Sequence, residues 1–251
     1  MGGAGILGRA LGVLGSFSED DPELTAAQLV ARTGLPASTL HRLLSTLIEH
    51  GLVVRLPGAR YTVGSRLWEL GELSPLSLRL RERSIPNLMR LYEATGENVH
   101  LGVLDGRSPE RSSVLYVGRV TGRKSYPTVS RAGGRGPLHA TGVGKALLAG
   151  RDGAWLGAYF RGTRELETRH TIVDEAELRA DLDRTRARGY ASTREEMTLG
   201  TVSVAAALPL LPGLPPVALG LVVDLARADE KRLAALVQQS ARDIVAVLRE
   251  P

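Results

Sequence analysis

The side chains best placed to do chemistry cluster at the start of one short segment, PASTLHRLLS. Ala37, Ser38, Thr39, His41, Arg42 and Ser45 fall on the face opposite its leucines. A guanidinium in that setting can fork onto a guanine edge, and the hydroxyls can reach bases or phosphates. Arg55 and Arg60 flank a Pro57-Gly58 turn just downstream, where they would neutralise phosphate or enter a minor groove. Arg9 could also meet a nucleic-acid backbone. Charge supports that reading. From Met1 to Glu72 six Arg stand against seven acids, yet between Arg32 and Arg66 five Arg face only Glu49. The positive charge is concentrated in one stretch, and the chain as a whole is +5.

Other candidate chemistries fare worse. GVGKALL, Gly142 to Leu148, invites a phosphate-loop reading. That pattern needs a glycine where His139 stands and a hydroxyl residue where Ala146 stands. A glycine-permitted entry into a helix, whose free N–H groups could hold a carboxylate, accounts for it better, with a ligand-free packing loop as the alternative. Glu195 and Glu196 are adjacent carboxylates without a partner acid or nucleophile, and are expected to be an exposed structural pair. His100, His139 and His170 lack metal-ligand spacing and are expected to be structural or pocket-lining. Cysteine is absent and no Ser sits in a Gly-x-Ser-x-Gly turn, so neither a metal site, a cofactor nor an enzyme activity has support.

The elements that must position these residues can be read from periodicity. Ile6, Leu7, Ala10, Leu11, Leu14 and Phe17 have helical spacing. Thr25 and Gln28 form a capping box that opens a second helix. Gly34 ends that helix, and Pro36 with Ser38 starts a third, running to about His50 with Leu40, Leu43, Leu44, Leu47 and Ile48 facing inward. Two helices around a tight turn form a helix-turn-helix, and the strands Leu52–Leu56 and Tyr61–Val63 make a wing. Residues 65–95 read as helical, with Pro75 and Pro86 expected to kink or restart the helix. Beyond Asn98 the period shifts towards two in NVHLGVLD, SVLYVGRV and SYPTVSR. Helices follow at about Gly144–Ala149 and Glu175–Arg188, then the strands TVSVAAAL and PVALGLVVD, and a last helix from about Asp229 to Arg249. The pattern predicts an α+β chain whose second half is a mixed sheet flanked by helices. Residues 197–223 carry no charge but are broken by four prolines, so no membrane span is expected. The N-terminus lacks the basic leader of a secretion signal, and a cytoplasmic protein is expected.

Taken together, RALGVLGSF, LTAAQLVARTGLPASTLHRLLSTLIEHGLV and RYTVGSRLWELG resemble the DNA-binding half of IclR-family transcriptional regulators. TGENVHLGVLDG, VLYVGRV, GPLHATGVGKALLA, RHTIVD and GYASTREEMTLGTVSVAAAL resemble the effector-binding half. The resemblance spans nearly the whole chain. It implies a winged helix-turn-helix over residues 1–64, a helical linker over 65–80 and a GAF-like effector domain over 81–251. It also implies homodimers or tetramers on palindromic double-stranded DNA operators, repression among the possible outputs, and a small-molecule effector that is carboxylate-bearing or aromatic. By the same resemblance the effector pocket draws on Tyr126, Val129, Gly142, Val143, Thr193, Thr201, Ser203, Gly220 and Val222. Where some family members carry a carboxylate at the Thr193 position and hydroxyls near Gly220 and Val222, this chain is less polar, which favours a more apolar effector. The competing reading is a small-molecule-binding protein or enzyme whose N-terminal module serves protein contacts only.

Overall fold

The computed structural model describes residues 5–121 and 132–249 of the 251-residue chain. They form two compact units, Met1–Ser74 and Pro75–Pro251.

In the first unit, α1 (Ile6–Leu14) is followed by the short strand β1 (Glu23–Thr25), α2 (Ala26–Thr33), α3 (Ala37–Glu49), β2 (Val53–Leu56), β3 (Arg60–Val63) and α4 (Ser65–Glu72). The expected capping box is present: Thr25 Oγ1 accepts from the Gln28 N–H at 3.3 Å, and Gln28 Oε1 accepts from the Thr25 N–H at 2.8 Å. Gly34 takes the left-handed conformation, φ +66°, that closes α2, and α3 starts directly after Pro36. Leu40, Leu43, Leu44 and Leu47 pack with Val13, Leu24, Leu29, Val53 and Tyr61 into one core. Ile48 departs from expectation at 37% exposed, because the leucine stripe is complete without it and it lies at the stripe's edge in the last turn. The first helix stops at Leu14 rather than Phe17, and Ile6, Leu7 and Leu11 on it are exposed. The wing forms as expected, β2 pairing antiparallel with β3 around Gly58 at φ +74°. β1 adds a third strand on the other edge of β3, with Leu24 opposite Tyr61.

The second unit opens with a π-helical stretch, Leu76–Arg81, that runs into α5 (Glu82–Thr95); Pro86 sits inside α5 and does not restart it. Then come β4 (Asn98–Asp105), β5 (Ser113–Val120), β6 (Arg135–Gly136), α6 (Gly142–Ala149), α7 (Gly153–Phe160), α8 (Glu175–Arg188), β7 (Ala191–Arg194), β8 (Thr201–Ala207), β9 (Val217–Asp224) and α9 (Glu230–Arg249). The expected strand SYPTVSR lies outside the described residues. The sheet order is β6-β5-β4-β9-β8-β7, with every described pairing antiparallel rather than mixed, and the α+β class holds. Strand alternation gives the sheet two buried faces. Val99, Leu101, Val204, Leu219 and Leu221 point towards α5 and α9. Val114, Tyr116, Ala205 and Ala218 point the other way, to Val143 and Leu147 of α6, Leu156 of α7 and Leu178 of α8. Burying both faces of a sheet in this way removes a large apolar area from water, at roughly 25 cal/mol per Å². No helix among the described residues is long and apolar enough to cross a membrane.

Candidate functional site

In the first unit, the leucines that fix α3 to the core leave its other face in solvent. Ala37, Ser38, His41, Arg42 and Ser45 are exposed there and Thr39 is half-buried. Pro36 supplies no side-chain cap, so the first N–H groups of α3 stay open at the positive end of the helix dipole. Ser45 Oγ donates to the His41 carbonyl at 3.0 Å, which spends its proton and keeps its lone pairs outward. Arg55 and Arg60 are exposed on the wing and Arg9 on α1. They are not equivalent. Arg60 pairs with Glu23 at 3.2 Å, and Arg32 is held by Asp21 and the Ser16 carbonyl. Among the described residues of the first unit, Arg9, Arg42 and Arg55 have no ion-pair partner and are the guanidinium groups most available to an external anion.

The second unit holds a cavity of about 50 Å³ between the sheet and the start of α6. Sheet alternation aims Thr201 and Ser203 of β8, Val222 of β9 and Thr193 of β7 into it, beside Gly142 and Val143 of α6. Six of the nine residues expected to hold the effector therefore converge. Gly220 is not in the wall but beneath it: a Cβ there would lie 2.8 Å from Val143 Cγ2 and 3.0 Å from Ala205 Cβ. Its role is to let α6 sit close to the sheet. Tyr126 and Val129 lie outside the described residues. The structure adds wall residues that spacing did not reveal: Tyr116, Arg135, Gly136, Thr141, Met197 and Thr198, with His100 among them as one of the pocket-lining histidines foreseen. His100, Tyr116, Arg135 and Gly136 come from strands paired across the sheet, Thr141 from the cap of α6, and Met197 and Thr198 from the turn between β7 and β8.

The glycines of GVGKALL are there for approach. A Cβ on Gly142 would stand 2.4 Å from Ser203 Oγ, and one on Gly144 would stand 2.3 Å from the Leu138 carbonyl oxygen. Thr141 caps α6, accepting from the Gly144 N–H at 3.1 Å and donating to the Pro137 carbonyl at 2.7 Å. The N–H groups of Gly142 and Val143 are left without a partner among the described residues at the N-terminus of α6, and both residues line the cavity. Burial, reinforced by the charge of Arg119, depresses the His100 pKa from 6.5 to about 3, so the imidazole is neutral. Burial raises Tyr116 to about 12, slightly opposed by its hydrogen bond with Thr141. Arg135 at the mouth is paired with Asp105 and donates to Ser113 Oγ at 2.8 Å. No carboxylate lines the described walls. The cavity thus offers uncharged donors, two free N–H groups, one guanidinium and the apolar Val143, Met197 and Val222, which suits a small anion with an apolar body.

The two glutamates do not form an exposed pair. Glu195 is half-buried and Glu196 is 6% exposed, its Oε1 2.7 Å from Lys145 Nζ. Lys145 itself is fully buried, which removes it from any phosphate-binding role. His139 donates from Nε2 to the Glu165 carbonyl at 2.9 Å, and His170 lies 3.7 Å from Glu195.

With this geometry in hand, comparison with known proteins is specific. Residues 7–57 match the IclR helix-turn-helix domain, and residues 76–246 match the bacterial transcriptional regulator IclR C-terminal domain. The HTH-type transcriptional regulator XynR of Escherichia coli is 34% identical over 92% of this chain and 90% of its own length. The acetate operon repressor of Salmonella typhimurium is 30% identical over 95% and 88%. Among solved structures, an IclR homolog from Microbacterium hydrocarbonoxydans complexed with 4-hydroxybenzoate superposes with a TM-score of 0.90 at 26% identity, covering 98% of this chain and 99% of that one.

Proposed function

This chain belongs to the IclR family of bacterial transcriptional regulators, which are DNA-binding regulators and not enzymes, and from that premise we propose how its own residues divide the work. Residues 1–64 dock on a palindromic operator, with α3 in the major groove and the wing against the adjacent backbone. Arg42, outward and without an ion pair, reads a base edge; Ser38, Thr39, His41 and Ser45 complete the contact, and Arg9 and Arg55 hold phosphates. Arg60 contributes less, since Glu23 already neutralises it. The observation that carries this reading is the exposed, unpaired Arg42 on the face of α3 that the leucine core turns outward.

The protein acts as a homodimer or a dimer of dimers in the cytoplasm. Ile6, Leu7 and Leu11 of α1 and Trp68 and Leu70 of α4 are exposed on the first unit, apolar surface of the kind that a second copy covers. Residues 65–80 serve as the connector, and residues 81–251 hold a small acid in the cavity. Its carboxylate meets the Gly142 and Val143 N–H groups, and an aromatic or aliphatic body meets Val143, Met197 and Val222. That a related protein binds 4-hydroxybenzoate supports an aromatic acid.

The test begins with selection of bound duplexes from a random pool, followed by mobility shifts on the selected site. Affinity is expected to fall steeply with salt through counterion release. Arg42→Ala is expected to cost about 1–3 kcal/mol on the selected site and to flatten preference at one base position, whereas Arg55→Ala weakens all sequences alike. Unchanged selectivity in Arg42→Ala refutes the assignment of α3 as the reading helix.

A further inference from the structure

Lys145 lies one turn into α6, the helix whose first residues form one wall of the cavity. Its side chain is wholly buried, with Nζ 2.8 Å from Asp181 Oδ2 and 2.7 Å from Glu196 Oε1. An ammonium buried with two carboxylates is no more stabilising than apolar packing of the same volume, so stability alone does not account for it. What the two carboxylates are attached to does. Asp181 is on α8, packed beside α6, and its other oxygen accepts from Arg184 at 3.0 Å. Glu196 is in the turn between β7 and β8, and the next two residues, Met197 and Thr198, line the cavity.

That turn is anchored on both sides of Glu196, and Thr201 Oγ1 also donates to the Thr198 carbonyl at 2.7 Å. Thr168 Oγ1 donates to the Glu195 carbonyl at 2.6 Å and Thr171 Oγ1 to the Glu196 carbonyl at 2.7 Å. The Gly200 N–H donates to Glu195 Oε1 at 2.8 Å, and Glu195 holds a left-handed φ of +58°. Glu196 Oε2 is buried with no hydrogen-bond partner among the described residues. Burial pushes the Glu196 carboxyl above the usual carboxylate range, against the pull of Lys145. The ammonium 2.7 Å from Oε1 is the largest of the contacts that oppose that push, ahead of the Ile172 backbone.

We propose that Lys145 is a positioning residue for the effector cavity: its ion pair with Glu196 ties the turn carrying Met197 and Thr198 to the helix carrying Gly142 and Val143, setting the spacing of two cavity walls before any ligand arrives. The proposal rests on the reading of this cavity as the effector site, but the tie can be observed without a ligand. Asp181 alone would suffice to bury the ammonium between α6 and α8. The Glu196 arm is the one that reaches the cavity.

Hydrogen exchange of the full-length, ligand-free protein, followed by mass spectrometry, tests it. Glu196→Ala is expected to speed exchange in residues 197–199 about tenfold while α8 and α9 keep their protection, since local opening and global unfolding are separable. Asp181→Asn, which loosens α8 and not the turn, is expected to leave residues 197–199 as in the parent. Glu196→Gln keeps an acceptor for Nζ but no charge, and is expected to give a smaller acceleration confined to the same residues; it decides the matter should Glu196→Ala not fold. Parent-like protection of the turn in the Glu196 variants overturns the proposal, as does an even loss across α8, α9 and the turn, which marks a merely structural cluster. Calorimetry with 4-hydroxybenzoate is run alongside. Binding by the parent that weakens about tenfold in Glu196→Ala and not in Asp181→Asn supports the positioning role. No binding by the parent counts against an aromatic-acid effector, while the exchange result still decides the tie.

Discussion

Gly142 and Gly144 look interchangeable in GVGKALL, but the structure gives substitutions at the two positions different costs. On Gly144 a methyl group would meet Leu138 O at 2.3 Å, Leu138 Cα at 2.5 Å and Thr141 Oγ1 at 2.6 Å. Carbon contacts are at their best near 3.5–4.0 Å, so about 1 Å must be opened, and two of the three obstacles are backbone. Overpacking of that kind costs about 1–3 kcal/mol, and displacing Thr141 removes an N-cap worth about 1 kcal/mol. Alanine in a helix recovers only about 0.5–1 kcal/mol over glycine. Gly144→Ala should therefore lose about 2 kcal/mol. On Gly142 the close obstacle is Ser203 Oγ at 2.4 Å, a hydroxyl that can rotate away, and the next contact is Ser203 Cβ at 3.1 Å. That variant should lose less than about 1 kcal/mol, because the helical gain offsets most of an off-rotamer serine. Urea unfolding by circular dichroism reads the difference, and by scanning calorimetry Gly144→Ala should drop the Tm of the second unit by about 4–8 °C. Adding Ser203→Ala should rescue Gly142→Ala by about 0.5–1 kcal/mol and do nothing for Gly144→Ala. Equal stabilities for the two glycine variants, or rescue of both, would refute the account of how α6 docks on the sheet.

Thr25→Ala removes the Thr25 Oγ1 acceptor of the Gln28 N–H and leaves the Thr25 N–H to Gln28 Oε1 bond, and should destabilise the first unit by about 1 kcal/mol, read from the fluorescence of Trp68 during urea unfolding. His100→Gln should change the acid limb of stability. A histidine whose folded pKa is depressed from 6.5 to about 3 binds its proton first in the unfolded chain. The parent therefore loses stability as pH falls below 6.5 and on towards 3, by about 1.4 kcal/mol per pH unit for this one group. The variant should lack that contribution and keep the parallel one from His139, which is lowered in the same sense by burial. Identical urea midpoints for parent and variant through the acid range would show that His100 is not held neutral.

The winged helix-turn-helix was legible because its signals are local. Thr25 and Gln28 are three residues apart, Gly34 and Pro36 mark consecutive helix ends, and the leucines of α3 repeat within one helix. β1 was not legible, since three residues carry no periodicity and its partner Tyr61 lies far along the chain. α7 escaped for a related reason: GAWLGAYF is apolar almost throughout, so it lacks a polar face to give a helical period. In the cavity, family resemblance located Thr193, Thr201 and Ser203, while Tyr116 and Arg135 arrive only through the β4–β5–β6 pairing. Glu196 was read as exposed because its partner Lys145 is 51 residues away and nothing near either one announces the pair. Pairing between distant side chains is what sequence spacing cannot encode.

The cavity takes every described wall residue from the second unit, and the basic face takes every residue from the first. Among the described residues, the proposed effector cavity and the proposed operator face share no side chain. Control requires a two-state element for which ligand affinity differs between states, since a ligand that binds both equally shifts nothing. A coupling of about 1–3 kcal/mol would change operator affinity some 5–150-fold, and linkage requires the operator to change effector affinity by the same factor. Calorimetric titration of an effector into free and operator-bound protein measures that factor directly. Equal affinities in the two titrations would mean that the cavity, however well formed, does not regulate the DNA-binding unit.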